Sequence, residues 1–205
     1  YFYNNSSDGT VLSTFNNVTA MLEDRQGMIW VASNPSGISL FDPASGKVTI
    51  LKYDRNDPQS LSYNAVTSLL EDRSGILWAS TWGGGLSKHD PVARRFGHQR
   101  HFQTDPKSLG SPTASYFCET PDGSVWVISE IGLSKFKRQE GIFERFYINR
   151  PDQRILSIQP VQAGLPGTLW IGTSRGLKIF DAASGKFSDW HSPAGEDDAV
   201  ENSAV

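Results

Sequence analysis

The segment VTAMLEDRQGMIW, residues 18–30, returns as VTSLLEDRSGILW at residues 66–78, 48 positions later. The match continues downstream through a glycine and an Asp-Pro pair, each again 48 residues apart. The closing tryptophan recurs as Trp126 and, after a further 44 residues, as Trp170. Self-similarity with a period of about 40–50 residues is typical of propellers and solenoids. The sequence therefore predicts a tandem array of four copies.

Apolar residues inside each copy follow a period of two. In the first copy Val18, Ala20 and Leu22 alternate with Thr19, Met21 and Glu23, and the turn residues 24–27 follow with a glycine. This alternation predicts strands, and the Gly/Pro/Ser clusters between the apolar runs predict tight turns. Three more strands complete the copy. Each copy is therefore expected to be a four-stranded antiparallel meander.

A single meander of this length cannot bury both of its faces, so neighbouring copies must cover them. The predicted fold class is all-β: a β-propeller of about four four-stranded antiparallel blades, forming an arc or part of a larger propeller. The repeated tryptophan is assigned to the core between blades. Residues 1–205 are interpreted as one propeller fragment, with blades at 17–53, 64–101, 114–148 and 155–191 and strands of partial blades at 1–16 and 201–205.

Charge and composition exclude several classes of partner. The net charge is −3 and no basic block occurs, so nucleic acid and anionic membranes are not expected to bind. No apolar run approaches the roughly 18 residues that a membrane span requires, and the chain is expected to be soluble. The one cysteine excludes an internal disulfide.

The sequence predicts no catalytic residue, metal or cofactor. Cys118 stands where the first two copies have leucine and is interpreted as a small buried hydrophobe. His89 takes the place of Phe41. The histidines have no nearby cysteine or paired carboxylates to complete a metal shell. The Glu-Asp-Arg triplets at 23–25 and 71–73 occupy equivalent bends, so they are interpreted as polar turns with a local ion pair. Nucleophile-elbow, Walker and dinucleotide motifs are absent.

Candidate ligand-binding residues lie in the loop between the second and third strands, where the copies differ. This position holds Asn34, Trp82, Glu130 and, in the fourth copy, Arg175. In a propeller it shares one face with the connections between blades. An aromatic ring beside glycines can stack on a sugar while the polar residues bind hydroxyls. Two alternatives stay open: Trp82 packs against the adjoining blade, or Glu130 and Arg175 pair with each other.

Residues 64–91, with Leu169 to Thr173 of the fourth copy, resemble the two-component regulator propeller repeat. The shared pattern is Val-Thr-x-Leu-x-Glu-Asp-x-x-Gly-x-x-Trp, followed by Gly-Leu and Asp-Pro. Departures occur after the tryptophan, where Ala-Ser replaces Gly-Thr in the first two copies, and residues 138–165 match weakly.

The resemblance implies the periplasmic sensor portion of a membrane-anchored bacterial hybrid histidine kinase or diguanylate cyclase protein. Some members of that family sense oligosaccharides. The first functional hypothesis is therefore a non-catalytic sensor domain that binds an oligosaccharide or another small ligand. A second is a platform for protein interaction or homodimerisation without a small ligand. A third is a propeller glycosidase or lyase, although the Asp-x-x-Gly-x-x-Trp element is one residue longer than a sialidase Asp-box.

Overall fold

The computed structural model of the chain describes residues 17–92, 95–129, 132–148, 154–160 and 167–190. In these residues every regular element is a strand, and the strands form four separate four-stranded antiparallel sheets. The all-β prediction is confirmed. The partial blades predicted at 1–16 and 201–205 lie outside the described residues.

Each sheet is a blade whose strands pair in chain order. Blade 1 contains β1 (Val18–Glu23), β2 (Ile29–Ser33), β3 (Gly37–Phe41) and β4 (Val48–Leu51). Blade 2 contains β5 (Val66–Glu71), β6 (Leu77–Thr81), β7 (Gly85–Asp90) and β8 (Arg95–Gln99). Blade 3 contains β9 (Ala114–Glu119), β10 (Val125–Ser129), β11 (Gly132–Lys137) and β12 (Ile142–Tyr147). Blade 4 contains β13 (Ile155–Pro160), β14 (Thr168–Thr173), β15 (Gly176–Asp181) and β16 (Lys186–Asp189).

The chain divides into two compact units, Tyr1–Gln99 and Arg100–Val205. Unit 1 holds blades 1 and 2, and unit 2 holds blades 3 and 4. In both units the first strand of one blade lies beside the first strand of the next. A register irregularity recurs in the pairing of every first strand with its neighbour. In β1 it coincides with Thr19, whose hydroxyl donates to the Val66 carbonyl of the next blade at 2.7 Å.

In each unit the tryptophan of the first blade lies in the core between that blade and the next, as predicted. Trp30 is buried among residues of both blades of unit 1 and meets His89 edge-on at 5.1 Å between ring centroids. In unit 2, Trp126 meets Phe180 of blade 4 in the same way, at 5.4 Å. Trp170 differs, being half-buried and in edge contact with Trp190. Burying one side of a blade against the next is what makes the stack cohesive.

The aspartate of the Glu-Asp-Arg triplet connects its turn to the tryptophan. Asp72 accepts the backbone amides of Ser74 and Ile76 through Oδ1, at 2.8 and 3.1 Å, and the Trp78 indole N–H through Oδ2, at 2.6 Å. Asp24 makes the same three kinds of bond in blade 1, at 2.9–3.0 Å to the amides and 2.7 Å to Trp30. The triplet therefore stabilises a polar turn, as the sequence indicated, and its aspartate also orients the buried indole ring.

The arginine of the first triplet reaches beyond its own turn. The Arg25 guanidinium donates to the carbonyls of Arg73 and Asp72, at 2.8 and 3.0 Å, and its backbone amide donates to a carboxylate oxygen of Glu71 at 3.0 Å. The Arg25–Glu71 ion pair, 3.8 Å between Nε and Oε1, therefore joins consecutive blades. The spacing within one triplet predicted only a local pair.

Replacing Asp72 with alanine should destabilise the chain more than Asp24→Ala. Both changes strip acceptors from two turn amides and one indole, but Asp72 is fully buried whereas Asp24 is half-buried. Leaving buried donors without acceptors costs about 1–3 kcal/mol, and the exposed turn can recover part of that through water. Urea denaturation of the two variants gives the comparison. Equal losses, or no loss for Asp72→Ala, would contradict the assigned role.

Candidate functional site

The candidate site is the loop face of unit 1, formed by the β2–β3 turn (34–36), the connection between blades (52–65) and the β6–β7 turn (82–84). Chain direction brings the three segments together, because the ends of β2, β4 and β6 lie at the same edge of their sheets. Backbone bonds join them: the Gly37 amide donates to Asn64 O at 3.0 Å, and the Trp82 amide donates to Ala65 O at 2.8 Å. The loops therefore form one continuous surface.

Hydrogen bonds of one buried hydroxyl group stabilise the turn that carries Trp82. Thr81, the last residue of β6, donates through Oγ1 to the Gly85 carbonyl at 2.9 Å and accepts the Gly84 amide at 3.1 Å. Gly83 has φ 117°, a conformation that side chains rarely adopt. The backbone is thus fixed while the Trp82 side chain stays 59% exposed. This exposure disfavours the alternative, left open by the sequence, that Trp82 packs against the adjoining blade.

Two tyrosines accompany Trp82 on the loop face. Tyr53 and Tyr63 are both exposed, and both belong to the connection. Asn64 holds the connection in place by accepting the Tyr53 amide through Oδ1 at 2.8 Å. Gly84 passes so near Tyr63 that a methyl group there would lie 2.7 Å from the Tyr63 Cβ. The surface therefore presents three aromatic side chains on backbone that hydrogen bonds restrain.

The rest of the connection is fastened to the outer strand of blade 2. Ser60 Oγ donates to the Asp57 carbonyl at 2.8 Å, and the Gln59 carbonyl accepts the Phe96 amide of β8 at 3.0 Å. His98 Nε2 lies 2.8 Å from the Ser60 carbonyl, and since a carbonyl only accepts, Nε2 carries the proton. Leu61 is fully buried beneath this segment.

In unit 2 the segment before blade 3 is bonded to the outer strand of that blade in the same manner. Ser108 and Leu109, 48 residues after Ser60 and Leu61, are buried as well. Arg145 stands where blade 2 has His98 and donates to the carbonyls of Ser108 and Leu109 at 2.8 and 3.0 Å. These residues belong to the segment Asp-Pro-x-Ser-Leu, which occurs at 57–61 and again at 105–109, and no function was predicted for it from the sequence. The conserved spacing between the two copies of that segment was the available signal.

The four predicted ligand residues are distributed over different parts of the structure. Asn34 and Trp82 both lie on the loop face of unit 1, where Asn34 is half-buried and donates its backbone amide to Asn17 O at 3.1 Å. Arg175 is exposed on the corresponding turn of unit 2, its amide bonded to Thr173 Oγ1 at 3.2 Å. Glu130 lies outside the described residues. The assignment of these residues to a ligand site therefore remains a prediction.

Two kinds of reactive group can be examined in the described ranges, metal-binding clusters and the cysteine thiol. No group of three or more His, Cys, Asp or Glu side chains is placed there to hold a metal ion. Cys118 packs in the core of unit 2, and burial raises the pKa of its thiol to about 12. A thiol with that pKa stays protonated at neutral pH and is a poor nucleophile, which confirms its interpretation as a small buried hydrophobe. The described ranges also hold no helix with the length and hydropathy that a bilayer crossing demands.

Comparison with known proteins identifies the repeat. The two-component regulator propeller family matches residues 13–34 and 60–83. Each of these two stretches is similar to a two-component regulator propeller repeat. Both matched stretches end in a β2–β3 type of turn, and the second includes Trp82. Comparison with curated proteins gave no significant match.

Several solved structures superpose on the chain. The extracellular domain of a hybrid two-component system of B. thetaiotaomicron is 20% identical, with a TM-score of 0.74, over 87% of this chain and 25% of its own. An extracellular domain of a one-component system from the same organism is 19% identical, with a TM-score of 0.68, over 90% of this chain and 25% of its own. Virginiamycin B lyase of Staphylococcus aureus is 15% identical, with a TM-score of 0.61, over 87% of this chain and 57% of its own. These likenesses show the β-propeller fold, and the chain spans about a quarter of the length of the first two structures.

Two tryptophans four residues apart should respond to alanine in opposite ways. Trp82→Ala should change the free energy of unfolding by less than about 0.5 kcal/mol, since the ring is mostly in solvent. Trp78→Ala should cost about 3–5 kcal/mol, because that ring is fully buried. Urea denaturation measures both. A loss of several kcal/mol in Trp82→Ala would remove Trp82 from the list of exposed ligand contacts.

Proposed function

We propose that this chain is a non-catalytic, ligand-binding part of the extracytoplasmic sensor of a bacterial two-component signalling protein, and that the loop face of unit 1 binds an oligosaccharide. The observation that carries the proposal is the exposure of Trp82 on a turn whose backbone is fixed. A large apolar ring held in water has no role in the blade core, and exposed aromatic side chains on rigid loops are typical of binding sites.

The chemistry of the loop face suits a sugar better than a charged or wholly apolar ligand. Trp82, Tyr53 and Tyr63 supply ring faces for the C–H side of a pyranose, and the tyrosine hydroxyls can exchange hydrogen bonds with its alcohols. Asn34 adds an amide at the edge of the same face. Stacking and hydrogen bonding together are how neutral, polar ligands are selected.

The sensor part of the proposal is supported by the repeat family and by the kind of protein that shares the fold. The matching family consists of two-component regulator propellers, and two of the superposable structures are extracellular domains of signalling systems. In this interpretation the chain lies in the periplasm, and its parent carries a membrane anchor and a kinase or cyclase output elsewhere. The likeness to a lyase, at 15% identity, concerns the fold and brings no lyase activity to this chain.

A second candidate function is a platform for a protein partner, for instance a second copy of the chain. The observation that favours it is apolar exposure on the first strand, where Met21 is 66% exposed and Val18 is also in solvent. A platform of this kind would transmit a signal through subunit contacts and would need no ligand on the loop face.

The test is a binding screen of the purified 205-residue chain against neutral and acidic oligosaccharides, followed by calorimetry on any hit. We expect at least one oligosaccharide to raise the melting temperature, and Trp82→Ala to weaken its binding by about tenfold or more, as loss of a stacking ring removes over 1 kcal/mol. Val92→Ala is the matched control: Val92 is exposed on the β7–β8 turn, at the opposite edge of the same blade, and should leave affinity within about twofold.

Three results would count against the proposal. Equal affinity of Trp82→Ala and the unsubstituted chain would move the site away from the loop face. Absence of any binder, together with a concentration-dependent dimer in ultracentrifugation, would favour the protein platform. Cleavage of a tested sugar would establish an enzyme.

A further inference from the structure

His89 lies in the contact between the two blades of unit 1. It belongs to β7 of blade 2, is 9% exposed, and its ring meets Trp30 of blade 1 edge-on at 5.1 Å. On its other side the ring packs against Phe96 of β8, with centroids 5.0 Å apart. Within the described part of the chain, neither ring nitrogen has a hydrogen-bond partner. The imidazole thus occupies a position that is built for an apolar ring.

The other blades show which residue this position normally holds. Pairing with the strand that carries the tryptophan aligns His89 with Phe41, Phe136 and Phe180. The surrounding geometry is reproduced too: Phe180 meets Trp126 edge-on at 5.4 Å and Phe187 at 4.7 Å. Packing alone is therefore satisfied by phenylalanine. What histidine adds is the capacity to take up a proton between about pH 5 and 8.

The charges around His89 come from two elements. Asp90, the next residue on β7, and Asp24, in the turn between β1 and β2, both favour the protonated ring through their negative charge. The residues that pack on the ring itself are uncharged: Leu77 of β6 pairs with it across the sheet, and Trp30 and Phe96 flank it. Asp24 is already engaged by the Trp30 indole and two turn amides.

We propose that His89 makes the contact between blades 1 and 2 sensitive to protons, so that acidification loosens blade 1 from blade 2. A cation formed at this position must either remain buried between aromatic rings or move to water, and the second course separates Trp30 from its neighbour. Because the device lies in the blade contact and not on the loop face, it operates whether or not the loop face binds a sugar.

Burial gives the sign of the effect. Desolvation lowers the pKa of His89 below its ordinary value and outweighs the two aspartates. The unfolded chain, in which histidine titrates near about 6.5, therefore binds the proton before the folded chain does. Stability from this residue is intact above that pH and is lost as the pH falls towards the folded-state pKa.

The matched variant is His89→Phe, which installs the residue found at the same position in the other three blades. Melting temperatures of both proteins are measured from pH 8 to pH 5. We expect the unsubstituted chain to lose about 3 °C or more relative to His89→Phe over this range, since the other titrating groups are common to both. Protection factors of the β1 and β2 amides, which correct for the intrinsic slowing of exchange in acid, should fall from pH 8 to pH 5 more in the unsubstituted chain than in His89→Phe.

A second measurement does not depend on how the variant folds. Imidazole NMR of the unsubstituted chain follows His89 directly, and its protonation should occur at a pH below the ordinary histidine value. Titration of His89 at or above the ordinary histidine value would overturn the proposal. Parallel pH profiles for the chain and His89→Phe would overturn it as well.

Discussion

A blade has two apolar faces and can bury neither of them by itself, and the structure depends on how that constraint is met. In each unit the tryptophan on the second strand of the first blade, Trp30 or Trp126, contacts an aromatic residue on the third strand of the next blade. A buried ring of this size removes about 150–250 Å² from water, which corresponds to roughly 4–6 kcal/mol at the usual area coefficient, an upper bound before conformational entropy. No hydrogen bond between blades approaches that contribution, so the ring sets the spacing and the polar contacts set the alignment.

Polar contacts achieve the alignment at both ends of the blades in unit 1. At one end, the Arg25 side chain donates to two backbone carbonyls of the second Glu-Asp-Arg triplet and forms an ion pair with Glu71. At the other, Leu61 is buried while Ser60 and Gln59 tie the connection to β8. Each device contacts backbone atoms, which every sequence provides. The loops can therefore change from copy to copy without loosening the stack, and this is the condition for a repeat protein to acquire a site.

Most of the fold could be predicted from the sequence because the fold is repetitive. Period-two alternation, turn clusters and a fixed tryptophan predicted the strands and the core between blades, since those features are local and recur. Contacts between copies were less accessible. The Arg25–Glu71 pair joins residues 46 positions apart, and the role of Asp72 as an indole acceptor requires knowing which way the ring points. For the candidate site, the turn position was predictable, but the exposure of Trp82 and the nearness of Tyr63 follow from the path of the connection, which no periodicity encodes.

The loop face of unit 1 combines two properties that usually conflict, exposed aromatic side chains and restrained backbone, and the proposed binding function rests on this combination. Exposed aromatic residues commonly lie on mobile loops, where binding must first restrict the chain at a cost in entropy. Here Thr81 closes the turn beneath Trp82, the Trp82 amide is bonded to Ala65, and Asn64 restrains Tyr53. The backbone under the three rings is thus ordered before any ligand arrives, and only side-chain rotation remains to be lost. A weakly interacting ligand such as a sugar gains most from such an arrangement, because its own contacts leave little free energy to spare for ordering the protein.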